Sequence, residues 1–144
     1  MTDSYSQPRL PVFVIGTRAQ IIKVAPVVVA CERRGLHTRL LMTGQHQETM
    51  QDLIDEFGIL SPRLAALPAT EHASVGSLLR WLPAAYLGMQ ARLREIKAEH
   101  ANLDVIVHGD TLSTVLGAVA GRRCGARVVH LESCLLYTSP SPRD

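Results

Sequence analysis

Short apolar runs alternate with longer amphipathic segments along most of the chain. The apolar runs predict five strands, at residues 12–15, 37–42, 60–67, 104–108 and 127–131. The third is the weakest, because Pro62 and Pro68 bracket it. The segments between the runs predict four helices, at residues 19–34, 47–57, 74–100 and 111–123. Strands that alternate with helices in this way predict a parallel sheet in an α/β domain.

Two prolines and one small-residue segment refine the predicted helices. Pro26 predicts a kink or an irregular first turn, so that the first helix becomes regular only near that residue. Pro83 predicts a break or a bend in the long third helix. We expect the fourth helix to pack on the sheet through three larger apolar residues and through small residues that allow a close approach, which are Val115, Leu116, Val119, Gly117, Ala118 and Ala120.

Three glycine turns follow predicted strands, at Gly16, Gly44 and Gly109. Because the carboxyl ends of parallel strands share one edge, these turns should lie on the edge where open α/β sheets bind ligands. Glu132 comes just after the fifth strand and is expected at the same edge. The sequence therefore predicts a binding site at this edge of the sheet.

Residues 11–26, PVFVIGTRAQIIKVAP, form a strand, a tight turn and a helix start, which is a geometry that suits an anionic ligand. Free backbone N–H groups and the helix dipole favour negative charge there. Arg18 offers a bidentate fork for phosphate or carboxylate, and Lys23 offers a point charge. The alternatives are an ordinary surface arginine and a surface lysine whose stem covers apolar surface.

Composition excludes several classes of protein. The chain has 144 residues, enough for one domain with a core, and its formal charge of +2 and 4% aromatic content argue against a nucleic-acid partner. No apolar segment approaches the length that spans a bilayer, and the polar start is unlike a signal peptide. Three cysteines without CxxC spacing favour a reduced, cytoplasmic protein, and six dispersed histidines predict no metal site.

The last segment, CLLYTSPSPRD at residues 134–144, does not fit the pattern. A helix should follow the fifth strand, but here the composition changes to Ser and Pro. The segment closely resembles the translation of a sequencing-library transposon adapter, so we set it aside as non-native. We divide the chain into a flexible start (1–10), an incomplete Rossmann-like domain (11–133) and this tail. The alternative is a natural Pro-rich linker to a second domain.

Three motifs stand in order along the chain: GTRAQIIKVAP at 16–26, TGQHQETM at 43–50, and HGDTLST with HLES at 108–114 and 130–133. Together they resemble the non-hydrolysing UDP-N-acetylglucosamine 2-epimerase family. The resemblance implies a two-domain glycosyltransferase-B-like fold, of which this chain is the first Rossmann-like domain. It also implies a UDP-sugar bound between the domains, inversion at sugar C2 without NAD or another cofactor, and a homodimer.

The chain departs from the family pattern at its first turn. Ala19 and Gln20 stand where the family commonly has Pro-Glu, which alters the turn and removes one carboxylate. The difference leaves the exact UDP-sugar open.

The resemblance implies roles for six residues. Asp110 and Glu132 are the candidates for acid/base catalysis, since both follow strands that end at one edge. Arg18 and Lys23 would stabilise the diphosphate. The remaining two candidates, which would line the same cleft and contact the sugar or an effector, are Gln45 and His46.

Each of these candidates has a plainer alternative. Asp110 could simply cap the fourth helix, and Glu132 could be a solvated loop carboxylate. Gln45 and His46 could satisfy turn backbone. Four other polar residues are expected to be structural: two histidines that pack at the sheet edge and two hydroxyls that bond backward to carbonyls in the fourth helix. They are His108, His130, Ser113 and Thr114.

The rival functions are a glycosyltransferase of the same fold, a hydrolysing UDP-sugar 2-epimerase, and a non-catalytic nucleotide-sugar-binding domain. Because the resemblance implies that half of the cleft is missing, we expect this chain by itself to be inactive.

Overall fold

The computed structural model describes residues 8–44, 47–67 and 75–132. Five strands form one parallel sheet in the order β3-β2-β1-β4-β5. The strands are β1 (Leu10–Ile15), β2 (Arg39–Met42), β3 (Arg63–Ala65), β4 (Leu103–His108) and β5 (Arg127–Leu131). The helices are α1 (Arg18–Arg33), α2 (Gln47–Glu56), α3 (Val75–Glu99) and α4 (Leu112–Arg123). The α/β fold with a Rossmann-like parallel sheet is therefore confirmed.

Alternation along β1 divides the core into two layers. Val12 and Val14 face the layer that contains α3 and α4, whereas Phe13 and Ile15 face the layer that contains α1 and α2. All four side chains are buried. The period of two along a strand thus places helices on both faces of the sheet, which explains why the strands read as continuous apolar runs.

Both prolines lie inside continuous helices. Helix α1 begins at Arg18, eight residues before Pro26, so the predicted late start of the regular helix is wrong. Helix α3 runs through Pro83, so the predicted break does not occur. Burial of the helix faces explains this outcome, because packing of residues such as Val24 and Met89 against the sheet offsets the hydrogen bond that proline cannot donate.

Helix α4 packs on the sheet through its small residues, as expected for Gly117 and Ala120, but not through Val115 and Val119. Val115 and Val119 are exposed, whereas Gly117, Ala120 and Gly121 are buried. A Cβ atom at Gly117 would lie 3.0 Å from methyl groups of both Val107 and Val14. The glycine and alanine face therefore brings the α4 backbone directly onto the sheet, and the valines point away from it.

Several predictions concern residues that lie wholly or partly outside the described part of the chain. They are the start of the chain at 1–7, the residues 45–46 of the second turn, Pro68, Ser74 and the tail at 134–144.

Candidate active site

The direction in which successive strands are added to the sheet reverses between β1 and β4. From β1 the chain proceeds outward through β2 to β3, and from β4 it proceeds the other way to β5. The turns that follow β1 and β4 contain Gly16 and Gly109, so the two motifs flank the crevice where ligands bind in open α/β sheets. Lys23 lies on α1, Asp110 follows β4 and Glu132 follows β5, all at this edge.

Glu132 contacts two basic groups. Its Oε1 lies 3.3 Å from Nζ of Lys23, and its Oε2 lies 3.4 Å from Nε2 of His108. The hydrogen bond from Lys23 is the main reason that the pKa of Glu132 is lower than usual, and the nearby charges of Lys23 and His108 add to it. Glu132 is thus an exposed carboxylate that is held ionised by its neighbours.

The backbone of Glu132 has φ near +50°, in the left-handed region that non-glycine residues rarely adopt. Such conformations persist only where the surrounding contacts enforce them, and they are concentrated at functional sites. The side chain is nevertheless half exposed, so the catalytic role of Glu132, against the alternative of a solvated loop carboxylate, stays a prediction.

Asp110 is exposed at the turn between β4 and α4. It does not cap the helix, because Thr111 occupies the cap position and its hydroxyl accepts a hydrogen bond from the Thr114 N–H. The plain capping explanation for Asp110 is therefore wrong, and its carboxylate is not committed to that role.

Two hydrogen bonds hold the turn before Asp110 against β5. The Gly109 N–H donates to the Leu131 carbonyl at 2.9 Å, and Nε2 of His130 lies 2.6 Å from the Gly109 carbonyl oxygen. The His130 side chain is exposed, so the expectation that it packs at the sheet edge is wrong. His108 is buried as expected, but it also contacts Glu132, which the sequence did not indicate.

The start of α1 differs from the expected anion site. Gly16 and Thr17 donate their backbone N–H groups to Oε1 of Gln20, at 2.8 and 3.2 Å, and the Gln20 N–H donates to the Thr17 hydroxyl. The two bonds between Thr17 and Gln20 form a capping box, and all three amides are satisfied within the protein. The expectation that they are free to bind an anion is wrong, and the exposed side chains of Arg18 and Lys23 are left as the candidate anion ligands on this helix.

The hydroxyls at the start of α4 bond to other elements. Ser113 donates to Oε1 of Gln20 at 3.0 Å, and Thr114 donates to the His108 carbonyl of β4 at 2.6 Å. The expectation that both hydroxyls bond backward to carbonyls is therefore confirmed for Thr114, whose acceptor lies six residues earlier in β4, and wrong for Ser113. Gly16 packs against the same place, since a Cβ atom there would lie 2.5 Å from Ser113.

The other candidates are distributed as follows. Gln45 and His46 lie outside the described residues, so their contribution stays a prediction. A groove of about 480 Å³ beside α1 and Phe57, and another of about 450 Å³ near the start of β2, contain none of the candidate residues.

The described part of the chain contains neither a cluster of metal ligands nor a helix suited to cross a membrane. Among residues 8–44, 47–67 and 75–132, no three His, Cys, Asp or Glu side chains are grouped as metal ligands would be. No helix within these ranges has both the length and the apolar character needed to cross a membrane.

Sequence reasoning gave too little weight to two residues. Gln20 was noted only as a departure from the family pattern, although it is buried between α1 and α4. His108 was regarded as packing, although the pairing of β4 with β5 places it beside the end of β5, where Glu132 follows. Their positions in the sequence could have indicated both residues. His108 ends a strand and Gln20 lies in the first turn of a helix, and both positions are at the edge where ligands bind.

Curated relatives match most of the chain. The UDP-N-acetylglucosamine 2-epimerase of Salmonella borreze is 30% identical over 136 residues, which is 92% of this chain and 34% of that protein. A UDP-N-acetylglucosamine 2-epimerase homolog of Methanococcus maripaludis is 32% identical over 128 residues, which is 86% of this chain and 32% of that protein. The chain thus spans about a third of the length of the curated relatives it matches.

A solved structure agrees with these matches. The UDP-GlcNAc 2-epimerase from Neisseria meningitidis, bound to UDP-GlcNAc, superposes with a TM-score of 0.68 at 25% identity, over 92% of this chain and 35% of that one. The model of the family described as UDP-N-acetylglucosamine 2-epimerase matches residues 29–135, which is most of the chain. The chain therefore belongs to the UDP-N-acetylglucosamine 2-epimerase family.

Proposed function

We propose that this chain is the N-terminal domain of a longer enzyme that inverts C2 of UDP-N-acetylglucosamine. The observation that carries the proposal is the pair of carboxylates, Asp110 and Glu132, which follow the neighbouring strands β4 and β5 at the ligand edge. The relatives support it, since those named above are described as UDP-N-acetylglucosamine 2-epimerases or homologs, and one was solved with UDP-GlcNAc bound.

The reaction needs no change of oxidation state. A base removes the C2 proton, the electron pair of that C–H bond forms a C1=C2 double bond, and the C1–O bond breaks to release UDP. UDP then adds back at C1 while a proton is delivered to the opposite face of C2. Both steps need acid/base groups near C2 and positive charge near the departing diphosphate.

The residues of this chain suit those needs. Glu132, whose pKa is lowered mainly by the hydrogen bond from Lys23, is ionised at neutral pH and can accept a proton. Asp110 supplies the second carboxyl group on the neighbouring turn. Arg18 and Lys23, exposed on the first two turns of α1, are the cations that would meet the diphosphate.

The remaining features extend the proposal beyond this chain. The other wall of the cleft would come from a second domain of a glycosyltransferase-B-like fold, and the longer enzyme would be a homodimer. The thiols of Cys31 and Cys124 are free, which fits a reducing compartment such as the cytoplasm. We interpret residues 134–144 as adapter-derived, so the longer coding sequence should continue differently from about residue 134.

The test begins with sequencing of the intact source locus and expression of the longer protein. It is then incubated with UDP-N-acetylglucosamine, and NMR follows the configuration at C2. Inversion at C2 in a product that still carries UDP supports the proposal. Three other outcomes would each contradict the proposal. Release of free sugar would indicate a hydrolysing epimerase, and transfer to an acceptor would indicate a glycosyltransferase. Unchanged substrate would indicate a binding domain.

Three variants then test the roles. Asp110→Asn and Glu132→Gln should each lower kcat by about 10²–10⁴-fold, since each removes a general acid or base. The matched control is Glu99→Gln, because Glu99 is an exposed carboxylate at the opposite edge of the sheet, and its substitution should leave kcat unchanged. Full turnover in either site variant would exclude that residue from catalysis.

A further inference from the structure

The side chain of Gln20 connects the two turns of the candidate site. Only 2% of it is exposed, and it lies between the start of α1 and the start of α4. Its Oε1 accepts hydrogen bonds from the N–H groups of Gly16 and Thr17 at 2.8 and 3.2 Å, and from the Ser113 hydroxyl at 3.0 Å. One oxygen therefore joins the turn after β1 to the first turn of α4.

The amide nitrogen makes the complementary set of bonds. Nε2 of Gln20 donates to the His108 carbonyl at 2.8 Å and to the Thr111 hydroxyl at 2.9 Å, and it lies 3.3 Å from the Thr114 hydroxyl. The backbone N–H groups facing Oε1 can only donate and the carbonyl facing Nε2 can only accept, so the chemistry fixes the orientation of the amide.

These bonds surround Asp110. His108 and Thr111 lie two residues before it and one residue after it, and both are bonded to the same nitrogen. The turn that carries Asp110 is thus fastened to Gln20, and through Gln20 to the turn before Arg18 and Lys23. A buried and fully satisfied polar group of this kind fixes one arrangement, because leaving any member unpaired costs free energy.

We infer that Gln20 is a positioning residue, which sets Asp110 of the β4–α4 turn in register with the basic residues of α1. This inference rests on the proposed function, since it assigns Gln20 to the geometry of that reaction. Gln20 contacts neither a reacting atom nor a substrate in this inference, and it acts only through the residues it holds. Gly16 contributes to the same arrangement, because any larger residue would meet Ser113.

The first experiment uses this chain and does not depend on any activity. Amide hydrogen exchange of Gly16 and Thr17 is measured by NMR in the wild type and in Gln20→Leu, which keeps an apolar stem but neither polar atom. We expect exchange to become about tenfold faster or more at both amides, because each loses its acceptor. Unchanged exchange at both amides would overturn the inference.

A matched control separates this effect from loss of any buried glutamine. Gln90 is similarly buried, at 5% exposure, but its hydrogen bonds to Tyr86 and from Arg94 lie within α3. Gln90→Leu should therefore lower stability without changing exchange at Gly16 or Thr17.

The second experiment measures turnover in the longer enzyme. Gln20→Leu should lower kcat about 100-fold with a smaller change in KM, since a misplaced catalytic group costs about this much. Gln20→Glu keeps the acceptor oxygen but loses the donor to the His108 carbonyl and the Thr111 hydroxyl, so it should keep the amide protection of Gly16 and Thr17 and still lower kcat, whereas Gln90→Leu should keep wild-type kcat. An active wild type with no loss of kcat in Gln20→Leu and Gln20→Glu, or with an equal loss in Gln90→Leu, would overturn the inference. An inactive wild type would instead overturn the proposed function.

Discussion

Lys23 and Glu132 form an ion pair between the second turn of α1 and the end of β5, with 3.3 Å between Nζ and Oε1. The two residues are 109 positions apart in sequence, and both side chains are at least half exposed. This pair therefore couples the first motif of the chain to the last at the surface of the candidate site. Because water and salt reach it freely, it affects the charge state of Glu132 more than the stability of the fold.

Replacement of Lys23 by methionine should raise the pKa of Glu132 toward its usual value. The hydrogen bond from Lys23 is the largest cause of the lowered pKa, so its loss makes protonation easier. The measurement is a carbon-detected NMR titration of the Glu132 carboxyl group in this chain. High salt should shrink the difference between wild type and Lys23→Met, since the pair is exposed. Identical titration curves at low salt would contradict the assigned contact.

If Glu132 acts as the base, the same substitution should also move the acid limb of the kcat/KM profile of the longer enzyme. Activity would require the ionised carboxylate, so it is lost as pH falls through the pKa of Glu132. Because Lys23→Met raises that pKa, the acid limb should move to higher pH. If the acid limb does not move, Glu132 is not the catalytic base.

Gly16→Ala should destabilise the fold by about 1–3 kcal/mol, since the new methyl group would overlap Ser113. The measurement is urea unfolding of this chain. Gly76→Ala is the matched control, because Gly76 lies in α3 with no atom within 4 Å of the added Cβ. That control should be neutral or stabilising by up to about 1 kcal/mol. Equal effects of the two substitutions would show that the contact with Ser113 is unimportant.

Asp104→Asn should make stability less dependent on pH in the acid range. Burial alone would raise the pKa of Asp104, but hydrogen bonds from Arg127 and Arg9 more than offset it, so the pKa lies below its usual value. The ionised form therefore contributes stability above about pH 4, where the unfolded carboxyl group is also ionised, and this contribution is lost as pH falls through the folded pKa.

The substitution should cost about 2 kcal/mol near neutral pH, which is typical of hydrogen bonds to a charged group. The difference in unfolding free energy between the wild type and Asp104→Asn should then shrink below about pH 4. Urea unfolding at a series of pH values measures it, and a constant difference from pH 7 to pH 3 would contradict the prediction.

This chain by itself should not epimerise UDP-N-acetylglucosamine. It spans about a third of the length of its curated relatives, and we propose that the second wall of the cleft lies in the part it lacks. An NMR assay with a high concentration of the chain measures this directly. Detectable inversion at C2 would mean that the residues of this domain suffice for the reaction.

Helix α4 illustrates how far the sequence could be read. Its position and the packing of its small residues Gly117 and Ala120 are predictable, but the pattern also predicts that Val115 and Val119 pack, and both are exposed. Hydrophobicity favours the valines, whereas the close approach of α4 to Val14 and Val107 leaves room only for Gly117 and its small neighbours. Spacing between backbones cannot be read from the pattern of one helix.

The candidate site was likewise predictable from the sequence only in part. The glycine turns after β1, β2 and β4, with Glu132 directly after β5, were enough to predict which edge carries the candidate residues, because the carboxyl ends of parallel strands share one edge. The cap of α4 was not predictable, since both Asp110 and Thr111 are good capping residues and only the geometry selects Thr111. The hydrogen bonds of Gln20 were not predictable either, because four of its six partners lie 88 or more residues away in the sequence.

By itself, the sequence determined the order of strands and helices along the chain, the parallel sheet and the edge that carries the motifs. These features follow from local periodicity and from the turns that come after strands. Tertiary structure alone decided which polar groups are already satisfied. It committed the amides of Gly16 and Thr17 to Gln20 and joined Lys23 to Glu132. The physical reason is that burial and pairing depend on which residues of distant segments come into contact with a given group. The pattern along one segment carries no information about those residues.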